Sequence, residues 1–212
     1  MPTDTFPIAA DADDGHGRMQ SASTWVNTPS GVYTDNPFGS TLASVAKHGA
    51  LSVFYVVNAF FRFDTSSIDD AATITSANLL LYCDGAAAPD GAIADYGGDF
   101  YDFGGSPSTS TDWEWTTSGD AITTISAGSL SVGSVNTIAL TGLSGISKTG
   151  ITGIRLAPKD SANAPTADNF IDFAAREHTT GQEPRLEVTY SAAALTNEAA
   201  LRTAHTPVTW RT

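Results

Sequence analysis

Between Asp84 and Asp120 the chain carries Asp84, Asp90, Asp95, Asp99, Asp102, Asp112, Glu114 and Asp120, with no Lys or Arg among them. Tyr96, Phe100, Tyr101, Phe103, Trp113 and Trp115 are interleaved with these acids. Aromatic rings stack on the C–H faces of sugars and carboxylates accept hydrogen bonds from hydroxyls, so the segment has the chemistry of a glycan site. Its platforms would be Tyr96, Tyr101, Trp113 and Trp115. The same acids could furnish a pair for glycoside hydrolysis, drawn from Asp99, Asp102, Asp112 and Glu114, but any acidic loop offers such pairs. A structural reading competes with both. Trp113 and Trp115 are two apart, so in extended chain they share a face and can pack the core while the carboxylates are solvated.

A second acidic group, Asp11-Ala-Asp-Asp-Gly15, places Asp11, Asp13 and Asp14 before a glycine turn, the oxygen-rich setting of a calcium site. It lacks the spacing of an EF-hand loop and the Glu that closes one, and a turn with solvated acids is the simpler reading. Asp172 or Glu177 could complete the site in the fold. Beyond a structural calcium, no cofactor is expected. Nucleophilic chemistry finds no support: Gly-x-Ser-x-Gly is absent, and His16, His48, His178 and His205 stand in no nucleophile context. Cys83, the single cysteine, rules out an internal disulfide and directly follows an apolar run, which reads as a small buried residue.

The elements that must position these residues are strands. Leu186, Val188 and Tyr190 alternate with Arg185, Glu187 and Thr189, the period of a half-buried strand. The same alternation sets Phe61 and Phe63 against Arg62 and Asp64, and Ile154 and Leu156 against Arg155. It recurs at Leu130/Val132 and Ile138/Leu140. Ala77 to Tyr82 is apolar on both faces and reads as a more central strand, and Leu51 to Phe63 as a core strand or pair of strands. Gly, Asn, Asp, Ser and Pro clusters separate the runs, so the expected fold is all-β, an antiparallel β-sandwich of the jelly-roll type spanning residues 1–191. Residues 192–212 are expected to form a short helical or extended arm. Leu195 and Leu201 would lie on its apolar stripe, and Val208 and Trp210 would dock against a neighbour, since a terminal Trp is costly to leave in water.

Composition narrows the partners. Ten Lys plus Arg against 23 Asp plus Glu leave a net charge of −13, and no basic residue occurs between Arg62 and Lys148. Nucleic acid and anionic membrane surfaces, both recognised through clustered basic groups, are therefore not expected partners. With 28 Thr and 21 Ser, hydroxyls carry much of the polarity, which suits strands and turns. The N-terminal Met1-Pro-Thr-Asp-Thr-Phe-Pro-Ile8 has neither the basic nor the apolar region of a secretory signal, so the chain reads as not addressed for secretion.

Phe61-Arg-Phe-Asp64, Ser67-Ile68 and Ala72-Thr-Ile-Thr-Ser-Ala-Asn-Leu-Leu-Leu-Tyr82 resemble the DNRLRE-type (disaggregatase-related) jelly-roll modules. Ala175-Arg-Glu177 and Pro184-Arg-Leu-Glu-Val-Thr-Tyr190 resemble that family's closing strand, and Trp113-Glu-Trp115 lies where such domains often carry a tryptophan pair. The resemblance runs over roughly residues 8 to 190, its middle aligning by pattern only. It implies a non-catalytic sandwich, similar to modules that bind glycan, or space and protect, on secreted polysaccharide-active enzymes and surface proteins.

Taken with the lack of a signal and the Trp-containing arm, these features lead to the expectation of a non-enzymatic structural or decoration protein on a bacteriophage virion, capsid or tail. It would be made in the host cytoplasm, exposed on the particle, associated with itself and with neighbouring virion subunits, and open to holding a glycan. The alternative is a polysaccharide-binding module of a secreted or cell-surface system, extracellular in location. A small polysaccharide lyase or glycosidase stands behind both.

Overall fold

The structure, a computed structural model, describes residues 1–10, 13–21, 32–35, 42–50, 53–88, 95–104, 112, 117–159 and 165–191. Twelve strands make up the described fold: β1 (Thr3–Pro7), β2 (Asp14–Ser21), β3 (Val32–Asp35), β4 (Leu42–Ala50), β5 (Val53–Asp64), β6 (Thr73–Ala87), β7 (Asp95–Phe100), β8 (Ile122–Ser126), β9 (Ser134–Ala139), β10 (Ile151–Pro158), β11 (Asn169–Ala174) and β12 (Arg185–Ser191). Every pairing is antiparallel, and the strands form two sheets, an all-β sandwich.

Two long strands create the second layer. The first half of β6 pairs with β12 and its last residues pair with β11. In β5 the first half pairs with β4 and the second with β10. Because β4 also pairs with β11, the two long strands are joined at a corner while their other halves diverge into separate layers. One layer contains β1, β12, β6 and β9, and the other β8, β7, β10, β5, β2 and β3.

The core between them is the inward half of each alternating run. Phe61 and Phe63 of β5, Leu79 and Leu81 of β6, Ile154 and Leu156 of β10, Ile171 and Phe173 of β11, and Leu186 and Val188 of β12 are fully buried in one cluster. A period of two places such residues on a single face, and burying each contributes about 1.5–3 kcal/mol. The apolar run Ala77 to Tyr82 is a central strand flanked on both edges, as its composition predicts. Cys83 is buried at its end, and burial, with the Asp172 charge behind it, raises the thiol pKa.

Two strand expectations change. Leu130 and Val132 form no strand: a 3-10 turn covers Ala127–Ser129, Val132 is exposed, and the chain turns at Gly133 with φ +79°, a conformation that glycine adopts without strain. Arg155 does not face solvent opposite Ile154 and Leu156; it is only 6% exposed, because a second layer of side chains covers the outer face of the sheet there. Residues 192–212, with Leu195, Leu201, Val208 and Trp210, lie outside the described residues. Among those described, no helix is long and apolar enough to cross a membrane.

Candidate functional site

The covering layer is built by part of the acid- and aromatic-rich segment. Residues one apart on a strand face opposite ways, so Phe60 and Arg62 of β5 and Arg155 of β10 project from the face away from the core. Register sets Arg155 between Phe60 on β5 and Asp99 on β7. Its Nη2 donates to Asp99 Oδ2 at 3.0 Å, and its Nη1 donates to the Asp112 carbonyl at 3.0 Å. The guanidinium carbon stands 4.5 Å from the centre of the Tyr101 ring, a cation–π contact, and the Tyr101 hydroxyl donates to Asp112 Oδ1. One side chain thus holds three points of the segment against the sheet.

Asp99 is closed from its other side. Its Oδ1 accepts from Thr117 Oγ1 at 2.7 Å, Ser118 Oγ at 2.7 Å and the Gly119 N–H at 2.9 Å. Burial alone would push this carboxyl up, but the donors from Thr117, Ser118, Arg155 and Gly119 outweigh it and hold the pKa below its ordinary value. An acid held ionised with both oxygens occupied is a structural tie, poorly suited to giving or taking a proton.

A parallel clamp lies one strand over. Arg62 Nη1 donates to Asp13 Oδ1 at 2.9 Å and its Nε to Asp102 Oδ1 at 3.0 Å, while Phe103 sits under the guanidinium and packs edge-on against Phe60 at 5.3 Å. Arg62 takes these partners rather than Asp64, two residues on along the same face, whose Oδ1 instead accepts from the Ser66 N–H and hydroxyl. Asp99, Asp102 and Asp112, three of the four acids from which a hydrolytic pair was drawn, each have a donor fixed upon them; Glu114 lies outside the described residues.

Of the four aromatic platforms, the structure removes one and places one. Tyr96 is 0% exposed, packed in the core between the sheets, and a ring with no accessible face cannot stack on a sugar. Tyr101 is half-buried in the covering layer with Arg155 over its ring. Trp113 and Trp115 lie outside the described residues; Trp113 directly follows the anchored Asp112 in the chain.

The N-terminal acids part company. Asp13 turns to Arg62 and accepts the Ala10 N–H at 3.1 Å, whereas Asp14, next in the chain, is fully buried. Asp14 Oδ2 accepts the Arg176 N–H at 2.7 Å, and its Oδ1 is buried without a partner. Its pKa is pushed up to about 7, chiefly by burial, with the Arg176 N–H opposing and the charges of Glu177 and Asp13 adding to the rise. Asp11 lies outside the described residues, and among those described no three His, Cys, Asp or Glu side chains form a metal-holding group. Of the expected trio, Asp13 is engaged by Arg62 and Asp14 is buried, and Glu177, one of two residues named to complete the set, is the one whose charge bears on Asp14.

Elsewhere an open groove of about 400 Å³ is lined by Ala72, Ile74, Leu143, Ser144, Ile146 and Lys148, and none of the predicted site residues borders it. The residue that sequence reasoning missed is Arg155. The signal for it was a lone Arg within an apolar strand, in a chain whose acids gather in a segment with no basic residue of its own.

Compared with known protein families the chain matches none, and no curated protein matches its sequence.

Proposed function

We propose that this chain is a non-catalytic β-sandwich that serves as a structural or decoration protein on a bacteriophage virion, at the capsid or tail. One observation carries the reading: in the segment best equipped for chemistry, Asp99, Asp102 and Asp112 are spent on fastening it to the sheet. Asp99 is closed by four donors, Asp102 by Arg62 and Asp112 by Tyr101. Such a layer stiffens a module whose work is contact. A net charge of −13 keeps copies apart except where dedicated contacts hold them, and Leu195, Leu201, Val208 and Trp210 supply an apolar arm for that purpose. The partners on this reading are neighbouring virion subunits and other copies of the chain, and its place is the particle surface. Deleting residues 195–212 tests it: the sandwich should keep its melting temperature and lose assembly or particle incorporation, and retained assembly would contradict it.

Tyr101 favours a second reading, a polysaccharide-binding module of a secreted or cell-surface system. The hydroxyl of its half-buried ring donates to the anchored Asp112, which directly precedes Trp113 in the chain. The resemblance of Phe61–Asp64 and Pro184–Tyr190 to DNRLRE-type modules is compatible with either role. Replacing Trp113 and Trp115 with Ala separates platform from core. Lost binding on a glycan array with an unchanged melting temperature supports the module, and a collapsed melting temperature places the rings in the packing.

A further inference from the structure

Among the described residues, Asp14 and Glu177 present three buried carboxylate oxygens that accept no hydrogen bond. Asp14 is 0% exposed, its Oδ2 is used by the Arg176 N–H, and its Oδ1 has no partner. Glu177, the next residue after Arg176, has both Oε1 and Oε2 buried and without partners. Leaving even one charged oxygen in that condition is costly, and here two acids of like charge bear upon each other. Elsewhere the fold answers its buried acids with donors, as Arg155, Thr117 and Ser118 do for Asp99. At Asp14 Oδ1 and at both Glu177 oxygens no such donor is supplied by the described residues.

We propose that Asp14 and Glu177 bind a divalent cation, calcium, which joins the start of β2 to the turn that follows β11. The ligand chemistry fits: carboxylate oxygens from two acids match the charge of the ion, and calcium tolerates a flexible shell completed by water and backbone carbonyls. The placement also fits a structural role. Asp14 opens β2 at one side of the sheet and Glu177 follows Ala174, the last residue of β11, so the ion would cross-link segments 163 positions apart in the chain (177 − 14). The Arg176 N–H fixes one Asp14 oxygen and leaves the other for the metal. The inference is independent of the virion reading, because any folded form of the chain contains both acids.

The experiment is calcium titration by calorimetry at pH 7.5 on the full chain, with melting temperatures recorded in calcium and in chelator. Wild type should release or absorb heat with a stoichiometry of one and melt about 5–10 °C higher at a hundredfold excess over Kd. Glu177→Gln and Asp14→Asn should lose that increment, and in chelator Glu177→Gln should melt no lower than wild type, since it removes a repulsion. Should Asp14→Asn fail to fold, Glu177→Gln alone decides. An unchanged melting temperature in calcium, or an increment that both variants keep, overturns the proposal: the first means that a proton satisfies the pair, the second that calcium sits on surface acids.

Discussion

Arg155 Nη2 lies 3.0 Å from Asp99 Oδ2 across the β7–β10 ladder, with both side chains more than nine-tenths buried. A pair like this forms only if the chain that covers it folds back in place, so it joins the sheet to the acid-rich segment energetically as well as spatially. Breaking it from one side leaves a buried charge without its partner. Arg155→Met or Asp99→Asn should each lower stability by about 3–5 kcal/mol, whereas replacing both with apolar residues should cost less than the sum. Urea unfolding of the two single variants and the double variant measures the coupling; additive losses would show that the two residues act separately.

Acid should find the same tie. Because the folded protein holds the Asp99 carboxyl below its ordinary pKa, the unfolded chain takes up that proton at a higher pH than the folded one does. The stabilisation from Asp99 is complete above the ordinary carboxylate value of about 4 and is lost as pH falls through the folded value. Urea midpoints between pH 6 and pH 2.5 should therefore fall more steeply for wild type than for Asp99→Asn. Parallel curves would mean that the donors do not stabilise the charged form.

Gly153 sets how closely the covering segment lies on β10. Its carbonyl accepts the Tyr101 N–H at 2.9 Å, and a Cβ at this position would stand 2.2 Å from the Tyr101 carbonyl oxygen and 2.7 Å from the Asp102 Cα. Both obstacles are backbone, which cannot rotate aside. Gly153→Ala should lower stability by about 1–3 kcal/mol and shift the urea midpoint, and a neutral result would show that the crossing has slack.

Much of the sandwich was legible because alternation is a local signal. Phe61/Phe63 and Leu186/Val188 need only a period of two and one buried face to reveal both the strand and its inward side. Arg155 follows the same alternation, which sets it opposite the core side but says nothing of what covers it, since its burial depends on Asp112 and the Thr117–Gly119 stretch arriving from more than 35 positions earlier in the chain. Tyr96 and Tyr101 look equivalent in the sequence. They are five apart, an odd spacing, so one enters the core and the other the covering layer. Asp13 and Asp14 show the same limit: adjacency suggested joint ligands, and the strand start sends one to Arg62 and the other inward. Leu130/Val132 mimicked a strand over too few residues to compete with the turn at Gly133.

The most direct test of a sandwich that assembles through its C-terminal arm is its mass in solution, by light scattering at several concentrations, for the full chain and for a chain ending at Ser191. The full chain should form a closed oligomer of constant mass over the concentration series, and the shortened one a folded monomer near the mass of a single sandwich. A monomer in both forms, or the same oligomer in both, would contradict assembly through the arm.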